Sequence, residues 1–207
     1  QLAAAYAAIA DGGTYIAPRL FLGQKIERKR VMPVWVANDL RRWLQSVARP
    51  GGTGILAAIP GYQVAGKTGT ANMVRGNDSF FHHRTNATFV GFAPGNHPDL
   101  VMAVSLRGST YSWNFGGIEA APVFRFTMRR ALLQSDIPPR CNIGGKFLQI
   151  RVPAGSDLHE LALRYDSTTK YLMQVNHLQN PADIEAGQLL KVPMPLGEKD
   201  FCRVQAP

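Results

Sequence analysis

The sequence predicts an α+β fold: a partial domain with an antiparallel sheet and flanking helices, then a small β-α-α-β unit. Three observations predict it. Helically spaced apolar residues recur in three segments before position 135. Two apolar, strand-length runs are joined by the short turn "PGNHPD". Beyond a linker containing proline and glycine, a second and shorter cycle of strand and helix signals begins.

"QLAAAYAAIADGG" reads as a helix with Leu2, Tyr6 and Ile9 on one face and Gly12-Gly13 as its stop. "PVWVANDLRRWLQSVARPGG" reads as a second, with Pro33 in its first turn. Val36, Leu40, Trp43, Leu44 and Val47 follow helical spacing, and Trp35 and Trp43 read as ordinary packing positions. "YQVAGKTGTA", "ATFVGFAP" and "LVMAVSL" read as strands. "EAAPVFRFTMRRALLQ" is a long helix with Phe124, Met128, Ala131 and Leu132 on one stripe. Residues 1–134 therefore form one domain part and 135–145 a linker. Residues 146–194 form the small unit: strand "KFLQIRV", helices over Asp157–Tyr165 and about Thr168–Asn176, and strand "QLLKVP"; 195–207 are a tail. Asp157 is placed to cap the first of those helices, whose buried face is Leu158, Leu161, Ala162 and Tyr165.

The 207 residues carry a net charge of +9, all of it before Cys141; the remainder is neutral. A basic surface suits nucleic acid, anionic lipid or an acidic polymer. No aromatic–basic stripe or nucleic-acid motif accompanies it, so nucleic acid is not expected as a partner. No run approaches the roughly 18 apolar residues of a membrane span. A membrane connection is expected only through an N-terminal anchor in a longer parent, because Gln1 opens directly inside a helical pattern. Cys141 and Cys202 bracket the neutral part. They stand either as free thiols or as a disulfide closing about 60 residues, worth roughly 4 kcal/mol. His82-His83 reads as a surface loop pair, and neither metal nor cofactor is expected.

"GYQVAGKTGTAN", from Gly61 to Asn72, satisfies two patterns. Gly61 to Thr68 spells a phosphate-binding loop, which requires a helix starting at the Lys-Thr pair. Gly69 follows at once, and no helical stripe runs through the next residues. Lys67-Thr68-Gly69-Thr70 also spells the Lys-Thr-Gly motif of penicillin-interacting enzymes, which lies on a strand. There an ammonium and hydroxyls bind a carboxylate, a backbone N–H stabilises an oxyanion, and glycine keeps the strand surface open.

With "VARPGGTGILAAIPGYQVAGKTGTAN", "ATFVGFAP", "DLVMAVSL" and "GGIEAAPVFRFTMRRAL", roughly Gln1–Gln134 resembles the C-terminal part of class B penicillin-binding proteins, and best their septal peptidoglycan D,D-transpeptidases. The resemblance implies serine acyl transfer that cross-links stem peptides in cell division, and inhibition by β-lactams. It implies catalytic roles for Lys67, beside the nucleophile, and for the Thr70 N–H, in the oxyanion hole. Thr68, Gly69 and Thr70 would bind the substrate. It also implies divisome partners and a periplasmic location, with the parent anchored in the inner membrane. The family's Ser-x-x-Lys and Ser-x-Asn motifs precede its Lys-Thr-Gly strand, and neither occurs before Lys67. "STTK" at Ser167–Lys170 and "SWN" at Ser112–Asn114 come after it and read as decoys. The chain alone is therefore expected to be inactive, as a piece of a longer enzyme or as a remnant. A carboxypeptidase, a β-lactamase or a β-lactam sensor shares the motif.

"FLQIRVPAGSDLHELALRYDSTTKYLMQVNHLQNPADIEAGQLLKVP" resembles a LysM domain, which implies binding of the glycan strands of peptidoglycan. By that resemblance Gly155, Ser156, Asp157 and Leu158, with Asn176, Leu178 and Ile184, would form a shallow sugar groove. Ser156-Asp157 stands where Asp-Thr is usual. Pairing of the unit's two terminal strands would draw Cys141 and Cys202 together.

Overall fold

The computed structural model describes residues 1–75, 79–109, 115–139, 147–165 and 167–193, with backbone alone for 74, 75 and 79–83. Cys141, Cys202 and the "SWN" stretch lie outside the described residues, as do the side chains of His82-His83, whose backbone is strand rather than the loop the sequence predicts. The chain divides into two compact units, Gln1–Ile59 with Gln63–Met128, and Pro60–Tyr62 with Arg129–Pro207. The fold is mixed α and antiparallel β, as the sequence predicts.

The first unit opens with α1 (Leu2–Ala10), which stops where Gly12 and Gly13 take positive φ. A hairpin follows, β1 (Thr14–Ile16) paired antiparallel to β2 (Arg28–Arg30), which the sequence reading does not anticipate. Its strands are too short to show a period of two. α2 (Val34–Ser46) starts after Pro33 and packs on β3. Its buried residues are Ala37 and Gln45, whereas Trp35 and Trp43 are exposed. This corrects the expectation that both tryptophans pack. The buried line runs about one position to the side of the apolar stripe, through Ala37 and Gln45.

β3 (Ala65–Arg75), β4 (Ser79–Ala93) and β5 (Leu100–Ser109) form an antiparallel sheet in the order β3-β4-β5. α3 (Gly116–Gln134) follows. Phe89 of β4 and Phe124 of α3 are fully buried, with ring centroids 4.7 Å apart at an interplanar angle of 57°. That tilted contact joins helix to sheet. Glycine makes room for it: a β-carbon at Gly54 or Gly66 would stand 2.7 Å from the Phe89 ring.

In the second unit β6 (Phe147–Arg151) pairs antiparallel with β7 (Leu189–Pro193), and α4 (Leu158–Arg164) and α5 (Thr169–Asn176) connect them. Val152, Leu158, Leu161, Ala162, Leu172, Leu190 and Val192 make its core, with Tyr165, Leu178 and Ile184 packed against it. Asp157 caps α4 by accepting from the Glu160 N–H at 2.6 Å, as its position predicts. Thr168 caps α5 by accepting from Tyr171, and the Asp136 carboxylate accepts from the next free amide, Lys170, at 3.0 Å. Tyr62 donates to the Ile137 carbonyl at 2.7 Å, and burial pushes its phenol well above the ordinary tyrosine range, which keeps the donor proton in place.

Candidate functional site

Among the described residues β3 is one of the two edge strands of its sheet, and Lys67, Thr68, Gly69 and Thr70 occupy its first half. Opposite them on β4 stand Val90, Phe89, Thr88 and Ala87 in that order. No helix begins at Lys67, so the phosphate-loop pattern has no structural counterpart.

Strand alternation places Lys67 and Gly69 on one face and Thr68 and Thr70 on the other. The lysine side chain bridges this division. Its Nζ donates to the Thr68 carbonyl at 3.1 Å and to Thr68 Oγ1 at 3.4 Å. Thr68 Oγ1 also lies 3.0 Å from Thr53 Oγ1, brought up by the loop after α2. Thr70 Oγ1 accepts from the Gly116 N–H, at the start of α3, at 3.1 Å. One ammonium and three hydroxyls thus gather along an open strand edge, with Lys67 and Thr70 exposed.

Glycines set these distances. A β-carbon on Gly69 would stand 2.3 Å from Thr88 Oγ1. One on Gly116 would stand 2.3 Å from the Thr88 carbonyl and 2.4 Å from that of Gly69, and one on Gly117 would stand 2.0 Å from the Thr53 carbonyl. Helix, strand and loop are in backbone-to-backbone contact. Thr53, Thr88, Gly116 and Gly117 were not singled out as site residues by the sequence reading. The signal available for Thr53, Gly116 and Gly117 is the pair of motifs "GGTG" and "GG", flanking the strands; Thr88 has none.

Chemically, an ammonium beside hydroxyls is a carboxylate site, and a strand edge accepts an extended peptide by main-chain pairing. A nucleophile is a separate requirement. Of the decoys, Ser167 is fully buried in the second unit with its hydroxyl unpartnered, and Thr168 of the same stretch is a helix cap.

The residues expected to make a sugar groove are placed diversely. Gly155 has φ +76° and open space around the position of a β-carbon, and Ser156 is half-buried beside it. Leu158 is in the core, and Asp157 is engaged as a cap. The Asn176 amide is committed to the backbone. It donates to Leu172 O at 2.9 Å and Lys191 O at 2.8 Å, while Oδ1 accepts from the Lys191 N–H at 2.7 Å. This clamps α5 to β7 and leaves Asn176 no spare donor for a sugar. Asn176→Ala is expected to destabilise the second unit by about 2–3 kcal/mol. Hydrogen exchange reads it directly: the Lys191 amide should lose protection ahead of its neighbours. Unchanged exchange there would refute the clamp. Among the described residues, no cluster of histidine, cysteine and carboxylates is set to hold a metal.

Comparison with known proteins agrees with this division. Residues 1–129 match the family model of the penicillin binding protein transpeptidase domain, and residues 150–193 match that of the LysM domain. The probable peptidoglycan D,D-transpeptidase PenA of Neisseria gonorrhoeae is 36% identical over 141 residues, which are 67% of this chain and 24% of that protein. The peptidoglycan D,D-transpeptidase FtsI of Escherichia coli K12 is 34% identical over 140 residues, again 67% of this chain and 24% of that protein. Among solved structures, the apo transpeptidase domain of Burkholderia pseudomallei penicillin-binding protein 3 is similar with a TM-score of 0.60 and 37% identity, over 67% of this chain and 42% of that one. The chain therefore spans about a quarter of the length of these curated relatives.

Proposed function

Because this chain belongs to the penicillin-binding protein transpeptidase family and carries a LysM domain, we propose that it supplies one side of a peptidoglycan D,D-transpeptidase active site. The supporting observation is the β3 edge strand, where the Lys67 ammonium and the Thr53 hydroxyl both meet the Thr68 hydroxyl, and Thr70 stands exposed two residues on. In this reading Thr68 and Thr70 hold the carboxylate of a stem peptide or of a β-lactam. Lys67 lies beside the acylated serine, and the Thr70 N–H faces the oxyanion. Gly69 lets the substrate backbone approach. The reaction is serine acyl transfer: D-alanine leaves, and an amine of a neighbouring stem peptide takes the acyl group. Its setting is septal wall synthesis in the periplasm, with the parent enzyme held at the inner membrane among division proteins. The LysM unit holds nascent glycan strands of peptidoglycan. The domains run 1–134 and 146–194 in this reading, with Cys141 and Cys202 forming a disulfide about the second.

No Ser-x-x-Lys precedes Lys67, so the 207 residues by themselves form no acyl-enzyme. A second reading, a non-catalytic remnant that works only by binding peptidoglycan, rests on the LysM match alone. Fluorescent penicillin should leave this chain unlabelled and label a longer parent carrying the Ser-x-x-Lys half. Purified peptidoglycan should sediment the chain, and residues 141–207 should sediment equally well. Labelling of the 207 residues alone would overturn the division of the active site, and failure to sediment would remove the glycan role.

A further inference from the structure

We propose that the β1–β2 hairpin docks the first unit on an anionic lipid surface. Its tip carries Leu20, Phe21 and Leu22 in succession; Leu20 is 90% exposed, Phe21 75%, and Leu22 wholly. Three adjacent exposed large apolar side chains are not ordinary surface composition. The turn that presents them is held by its own polar groups. The Leu20 N–H donates to Gln24 Oε1 at 3.2 Å and the Gln24 N–H to Phe21 O at 3.4 Å; Gly23 takes φ +83°, and the Ala17 N–H donates to Glu27 O at 3.0 Å. These internal bonds reduce the cost of moving the tip from water to a less polar phase.

The charge around the tip is predominantly positive. Arg19, Lys25, Arg28, Lys29 and Arg30 are all exposed, and Glu27 is the single acid from residue 14 to residue 32. Among the described residues none of the five cations is paired with a carboxylate. Arg19 and Arg30 are steadied by backbone carbonyls, of Gln24 in one case and of Gly12 and Met32 in the other, which leaves their charge uncompensated. β2 is exposed along its whole length. A groove of about 600 Å³ between α1 and the hairpin is lined by Ala3, Ala4 and Ala7 and by the tip residues Leu20, Phe21 and Leu22 themselves, and Arg19 is the single charged residue lining it. An apolar tip on a basic stem matches the two layers of an anionic bilayer interface, acyl chains and headgroup phosphates. A bilayer accepts a protruding apolar tip without shape complementarity; an acidic protein would have to supply a pocket for it.

Co-sedimentation of the 207-residue chain with phosphatidylcholine vesicles, with and without phosphatidylglycerol, tests this. Binding is expected to the phosphatidylglycerol vesicles, weakening as salt rises. Replacing Leu20, Phe21 and Leu22 by serine, or Arg28 and Lys29 by glutamate, should each weaken it at least about tenfold. All five side chains are exposed, so far-UV circular dichroism should remain that of the parent. A Phe21→Trp variant should be quenched by brominated lipid. No binding to phosphatidylglycerol vesicles overturns the proposal, as does binding indifferent to both sets of substitutions. Tip-dependent capture by polyglutamate in the absence of vesicle binding overturns it in favour of an acidic macromolecule.

Discussion

Phe89→Ala is expected to lower the stability of the first unit by about 3–5 kcal/mol. The ring is fully buried against Phe124, and two glycines make room for it. Its loss leaves a hole bounded by Gly54 and Gly66, which have no side chains to move into it. The site can collapse only by moving backbone, so the cost should lie towards the upper end for this substitution. Phe89→Leu keeps most of the volume and should lose about half as much or less. The readout is specific, because residues 84–93 of β4 all belong to the first unit. Hydrogen exchange of the amides of residues 84–93 therefore reports that unit without the other. A loss below about 1 kcal/mol would mean that the helix is held to the sheet elsewhere.

The same residue shows why the fold was legible in the sequence and the site only partly so. Phe89 lies in "ATFVGFAP", an apolar run too short for a helix and bounded by turn residues, which identifies a strand. Phe124 and Met128 repeat at helical spacing, and both prove fully buried. Periodicity reports which face is buried but not which residue of another element fills it. It misled at α2, where Trp43 belongs to the apolar stripe yet faces solvent, while Gln45 is buried beside Gly95. Gln45 accepts from the Arg49 guanidinium, a pairing no hydropathy pattern contains. The hairpin at residues 14–30 leaves no such pattern, because its strands are 3 residues each and its apolar tip faces outward.

At the β3 edge, the Lys-Thr-Gly letters identified the strand, but its companions come from distant stretches and share no local pattern with it. Thr53 is 15 residues upstream of the hydroxyl it meets, and Gly116 is 46 downstream of its partner Thr70. Chain separation hides such contacts; doubled glycines are the trace they leave, because a residue packed this closely on a backbone carbonyl has no room for a β-carbon. In the second unit, the capping role of Asp157 was legible because a cap is local. The Asn176 clamp was not, because its main partner, Lys191, is 15 residues away.

Gly116→Ala tests that trace. The added β-carbon would stand 2.3 Å from the Thr88 carbonyl oxygen and 2.4 Å from that of Gly69. Both are backbone atoms of paired strands, so no rotamer change relieves the contact. The start of α3 has to withdraw by about 1 Å to restore ordinary separation. Withdrawal stretches the 3.1 Å bond from the Gly116 N–H to Thr70 Oγ1 towards breaking. Overpacking of this kind costs about 1–3 kcal/mol. Gly51→Ala is the contrasting control. Gly51 has φ +84° and nothing within 4 Å, so its cost is backbone strain alone, about 1 kcal/mol. The two should separate in hydrogen exchange as well as in stability. Gly116→Ala should speed exchange of the residue 116 amide while the rest of α3 stays protected; Gly51→Ala should leave that amide unchanged. In a parent enzyme the same substitution frees the Thr70 hydroxyl and shifts the strand on which it stands. Penicillin acylation should then slow by at least about tenfold, the factor matching 1.4 kcal/mol. If Gly116→Ala neither destabilises the first unit nor exposes the amide, the close packing of helix on strand is not what holds the hydroxyls in register.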